Sequence, residues 1–60
     1  MTLIEILNTE EGKDLINSIE EAEQEIIDRG IDPDDDTSFW ASARKLDILT
    51  LKLVYGYEWK

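Results

Sequence analysis

The residues whose types and spacing could do chemistry are mostly acidic. Asp32, Asp34 and Asp36 stand at alternate positions, matching the first, third and fifth ligands of an EF-hand calcium loop. The rest of that pattern is missing. Thr37 stands where the loop needs glycine, and Ala43 where it needs a bidentate glutamate. The aspartate run is therefore expected to be an acidic loop that caps helices, holding no metal. Other paired carboxylates would need a pocket to shift a pKa before they could do acid–base work, and a 60-residue chain has little interior to provide one. Histidine and cysteine are absent, which removes the commonest general base, the disulfide staple and the thiolate metal site. Gly12, Gly30 and Gly56 are isolated and read as breaks and caps, not as a phosphate loop. No catalytic residue and no cofactor are expected from the residues themselves.

What the acids can do is meet a partner. The formal charge is -9. Residues 1–36 hold thirteen acids against Lys13 and Arg29, a net -11, whereas residues 37–60 carry a net +2. The negative half argues against direct contact with nucleic acid or anionic membrane and suits a basic protein surface. It also suits imitation of a phosphate array, a device of small, often phage-encoded inhibitors. Glu20, Glu21, Glu25 and Asp28 are the candidate charged contacts. Trp40, Tyr57 and Trp59 are the candidate aromatic ones, since such side chains anchor interfaces when they are not needed as core.

These residues need elements to hold them. Thr2-Leu3-Ile4-Glu5 has the form of a capping box and predicts a short helix over residues 1–8. Asn8 to Gly12 looks like a break, with Thr9 as a new N-cap. Leu15, Ile19, Ala22 and Ile26 then recur at spacings of four, three and four, flanked by Ile16, Glu23 and Ile27. This is the stripe of an amphipathic helix over 9–30. Gly30 is placed to end it in the left-handed conformation, with Ile31 packing back on Ile26. Pro33 and its aspartates make 31–37 a loop.

Phe39, Ala43, Leu46, Leu49 (or Thr50) and Leu53 follow helical spacing over 38–55, and Trp40, Ile48, Leu51 and Val54 widen the apolar face. A helix apolar on more than one side is expected to have more than one neighbour. Residues 49–59 also alternate like a strand, but the helix formers before them and the lack of a pairing strand favour helix. Residues 56–60 form a short aromatic tail. The expected fold is one all-α domain: an antiparallel helical hairpin with a short N-terminal helix across it. Two helices bury little area, so self-association into a four-helix arrangement is a natural expectation. There is no basic leader at the N-terminus and no apolar run of membrane-spanning length, which suggests a cytoplasmic protein.

Ala43-Arg44-Lys45-Leu46-Asp47-Ile48-Leu49, preceded by Ser42, resembles the signature helix of the stage-zero sporulation E-like aspartyl-phosphate phosphatases. Those proteins are short helical hairpins with a motif Ser-Gln-Glu-Leu-Asp. The resemblance spans roughly Ile19 to Tyr55, and Gly30, Asp32-Pro33 and Tyr55 are compatible with it. Residue by residue, Leu46 and Asp47 match, whereas the motif serine, glutamine and glutamate fall on Ala43, Arg44 and Lys45. The resemblance implies that Asp47 is the group entering the phospho-aspartate site of a response regulator. Two leading expectations follow: an acidic module that regulates or inhibits a larger protein, and a regulator phosphatase. A structural homo-oligomeric bundle is the third.

Overall fold

The structure is a computed structural model that describes residues 1–59. The last tail residue, Lys60, lies outside the described residues. Three α-helices follow one another: α1 (Leu3–Leu7), α2 (Glu10–Arg29) and α3 (Phe39–Tyr55). No strand occurs among the described residues, so the alternating stretch after Leu49 is helix as far as Tyr55. Twenty residues at about 1.5 Å each give α2 a length of roughly 30 Å, and the molecule measures 32 × 19 × 16 Å. Thus α2 sets the long axis. The second long helix folds back along it, with α1 packed at one end of the hairpin.

Each helix begins on the side chain that the sequence offers. At α1 the Glu5 backbone N–H donates to Thr2 Oγ1 (3.3 Å), and the Thr2 backbone N–H donates to Glu5 Oε1 (3.2 Å). At α2 the Gly12 N–H donates to Thr9 Oγ1 (3.0 Å), and at α3 the Ala41 N–H donates to Ser38 Oγ (3.4 Å). These contacts satisfy N–H groups that a helix start leaves without partners.

Both long helices end on a left-handed glycine. Gly30 has φ 65°, and two bonds form there: Ile31 N–H to the Ile26 carbonyl (2.9 Å) and Gly30 N–H to the Ile27 carbonyl (3.3 Å). That pair is the Schellman motif. Gly56 makes only the simpler closure, its N–H donating to the Lys52 carbonyl at 2.9 Å.

Gly12 corrects one expectation. It is no break: it lies buried in the first turn of α2. A Cβ there would meet the Ile6 carbonyl oxygen and would come within 2.7 Å of Ile6 Cγ2. Glycine is what lets α1 turn tightly onto α2.

The core is small. Ile6, Ile16, Ile19 and Leu51 form its centre, with Leu3, Leu15, Ile48, Tyr55, Tyr57 and Trp59 packed around them. The α2 stripe runs as the spacing predicts, with two adjustments: Ile16 is buried more fully than Leu15, and Ile27 is exposed. The larger correction concerns α3. Its face toward α2 carries Ala41, Arg44, Ile48, Leu51 and Tyr55. Of the predicted stripe, Phe39, Leu46, Leu49 and Leu53 point the other way and are exposed, while Ala43 is half-buried. Helix α3 is apolar on two opposite faces, and only one of them meets α2.

Candidate functional site

The acidic surface is built by the same periodicity that builds the core. Side chains on a helix repeat every 3.6 residues, so the side farthest from the buried Ile19 carries the uncharged Asn17 and Gln24 and the four acids Glu10, Asp14, Glu21 and Asp28. All four are exposed. Glu20 and Glu25 stand at the two edges of this face, Glu20 exposed and Glu25 half-buried. Little neutralises it. Arg29 Nε pairs with Glu25 Oε2 at 3.2 Å, one turn apart, and Gln24 Nε2 donates to Asp28 Oδ1 at 2.9 Å. The four predicted charged contacts, Glu20, Glu21, Glu25 and Asp28, therefore share one side of one helix.

The aromatic candidates lie elsewhere and have intramolecular partners. Trp40 is half-buried beside Phe39, with ring centroids 5.1 Å apart in an edge arrangement, and the Arg29 guanidinium lies 6.0 Å from its ring. The tail folds back after Gly56, so that Tyr57 and Trp59 cover the core cluster. Trp59 Nε1 donates to Glu23 Oε2 at 3.0 Å, and Arg44 Nε donates to the same oxygen at 3.1 Å. One carboxylate thereby ties α2, α3 and the tail together. Glu23 and Arg44 had no predicted role. The available signal was their position: each is a charged residue within a buried stripe, where a charge needs a partner.

Asp47, the candidate by family resemblance, is half-buried and accepts a 2.6 Å hydrogen bond from Ser18 Oγ across the hairpin. It sits on the flank between α2 and α3, apart from the acidic outer face.

The loop acids are engaged locally. Asp32 Oδ1 accepts from the Asp34 N–H (2.9 Å), and Asp35 Oδ1 accepts from both the N–H (3.0 Å) and the hydroxyl (2.6 Å) of Thr37. The Thr37 hydroxyl, and then its N–H, hold the Asp35 carboxyl below the usual aspartate range. Lys45 Nζ donates to Asp36 Oδ1 at 2.9 Å. That bond, with the charges of Asp36, Asp34 and Asp32, raises the lysine above its usual range despite some desolvation. At the other end of the chain, hydrogen bonds from the Thr2 N–H and then its hydroxyl lower Glu5. Among the described residues no three acidic side chains converge as a metal-binding group would.

Fold and surface together define a class: an all-α helical hairpin with an acidic outer face on one long helix and an apolar outer face on the other. Comparison with known protein families, curated proteins and solved structures finds no match to this chain. Among the described residues no helix is long and apolar enough to cross a membrane.

Proposed function

We propose that this protein is a small acidic interaction module that regulates or inhibits a larger protein through the outer face of α2. One observation carries the reading: Glu20, Glu21, Glu25 and Asp28 share one side of a single helix, and among the described residues one cation pairs with them, Arg29 with Glu25. A preformed array of like charge steers association with a basic surface and discriminates against acidic ones. A protein that normally grips nucleic-acid phosphates offers such a surface, which makes phosphate mimicry the specific form of the proposal. The test is capture of partners from the source cell by the wild type and by a variant with all four acids changed to Gln. A partner held by the wild type at low salt, released at high salt and missed by the variant supports the proposal. A partner retained equally by both proteins sinks it.

A second reading is phosphatase action on a phosphorylated response regulator. The helical hairpin and the half-buried Asp47 midway along α3 favour it. It expects this protein to shorten the lifetime of a regulator's acyl phosphate, and Asp47→Ala to abolish that effect. Unchanged lifetimes for the host's regulators would remove it.

A further inference from the structure

Nine large apolar side chains are exposed among the described residues, more than the five that are buried. Four of the nine, Phe39, Leu46, Leu49 and Leu53, fall on the outward face of α3. With Ser42 and Gly56 they complete a heptad seam: Phe39, Leu46 and Leu53 occupy one position of the repeat, and Ser42, Leu49 and Gly56 the other. An open groove of about 320 Å³ lies on this face, lined by Asp36, Ser42, Lys45, Leu46 and Leu49.

We propose that this seam pairs with α3 of a second copy in an antiparallel dimer. Three observations select a second copy. The first is size matching. Antiparallel pairing sets Phe39 against the partner's Gly56, Ser42 against the partner's Leu53, and Leu46 against the partner's Leu49. Every layer then holds one large and one small residue, or two leucines, with Gly56 entering the outer layers as the left-handed cap just past α3. A parallel pair would stack serine on serine and phenylalanine on phenylalanine, which mismatches the layers.

The second is charge. The seam lies in the half of the chain with net +2, and α2 with its carboxylates sits on the far side of α3. One flank of the seam carries two ion pairs, Lys45 with Asp36 (2.9 Å) and Lys52 with Glu58 (3.8 Å). Antiparallel packing brings the first pair of one copy beside the second pair of the other, two lysines with two carboxylates at each end. It also keeps the aspartate loop of one copy away from that of the other.

The third is area. A specific interface needs about 1,000 Å² in total. Four largely exposed side chains per copy, with the stems of Lys45 and Lys52, supply an area of that order. The product is a row of helices, α2, α3, α3 and α2, and not the square bundle that two hairpins suggest. It uses the face opposite the acidic surface and does not depend on the function proposed above.

Sedimentation equilibrium of the full chain tests it. The mass should rise from 7.0 kDa toward twice that value between about 10 μM and 1 mM, the range of an interface at the lower size limit. The double variant Leu46→Gln, Leu49→Gln should remain monomeric with unchanged helical circular dichroism. Ile27→Gln, an equally exposed residue on α2, should dimerise like the wild type. A wild type that stays monomeric at 1 mM overturns the proposal, as does a dimer that survives the double variant. Zero-length coupling of lysine to carboxylate reports the direction. Lys45–Glu58 and Lys52–Asp36 links confined to the dimer support antiparallel pairing, because within one copy Lys45 meets Asp36 and Lys52 meets Glu58. A dimer linked Lys45–Asp36 between copies would be parallel and would overturn it.

Discussion

Single residues fix the corners of this molecule, and Gly12 does so against its own helix propensity. An alanine in a helix interior is favoured over glycine by about 1 kcal/mol. Here the added Cβ would run into the Ile6 carbonyl oxygen and sit 2.7 Å from Ile6 Cγ2, a fully buried side chain. Forcing an extra carbon into a packed site costs about 1–3 kcal/mol, so overpacking outweighs propensity. Gly12→Ala should lower the urea midpoint. A raised midpoint would mean that α1 is free to move off α2. The same scale shows what one residue's chemistry conceals. Glu23 reads as one more acid in an acidic helix, yet its carboxylate receives both Arg44 and Trp59. The partners come from 21 and 36 residues further along the chain, so no local pattern names them.

At the level of elements, legibility follows amphipathicity. Helix α2 has one apolar stripe, and its extent, caps and Schellman ending can be read from residue types and spacing alone. The capping box at Thr2 and the glycine stop at Gly56 are likewise local features. Helix α3 is legible as a helix but not in orientation. Its buried face is interrupted by Arg44, and its exposed face, with Phe39, Leu46, Leu49 and Leu53, is interrupted by Ser42, so the two stripes are about equally apolar. Periodicity finds stripes and cannot say which one meets a neighbour. Neighbouring leucines test the assignment: Leu51→Ala should cost about 2–5 kcal/mol as a buried deletion, while Leu53→Ala should change monomer stability by less than about 0.5 kcal/mol. Denaturant unfolding of dilute samples separates the two, and equal losses would contradict the burial pattern. The loop allows a further check by pH. Asp35 is lowered, so its contribution is present above the ordinary aspartate range and is lost as pH falls through its depressed value. Lys45 is raised, so its contribution is present below the ordinary lysine range and is lost as pH rises through its elevated value. The loop should therefore keep its order across neutral pH and loosen at both extremes. A carboxyl NMR titration that finds Asp35 in the ordinary range would show that Thr37 does not hold it in solution.

For the molecule as a whole, the sign of the salt effect decides which electrostatic contribution dominates. Four ion pairs are present among the described residues: Arg29–Glu25, Arg44–Glu23, Lys45–Asp36 and Lys52–Glu58. In all but Arg44–Glu23, at least one side chain is 60% or more exposed. Exposed pairs contribute about 0–1 kcal/mol each, and salt weakens them. Against them stands a net charge of -9 on a body only 32 Å long, with most of the acids confined to α2 and the loop that follows it. Repulsion within such a cluster is also screened, since the Debye length falls from about 30 Å at 0.01 M to about 3 Å at 1 M. Apolar burial, which holds the two helices together, is not a charge interaction and is not removed by screening. Relief of the repulsion favours the folded state as ionic strength rises, and the exposed pairs that salt weakens are small contributions. Raising sodium chloride from about 0.02 M to about 0.5 M should raise the Tm by several degrees, since about 1 kcal/mol shifts a domain of this size by about 4–8 °C. The dilution must be fixed and low, because a dimer would add its own concentration dependence. A lower Tm at high salt would mean that the ion pairs around Glu23 and the loop outweigh the repulsion among the acids of α2.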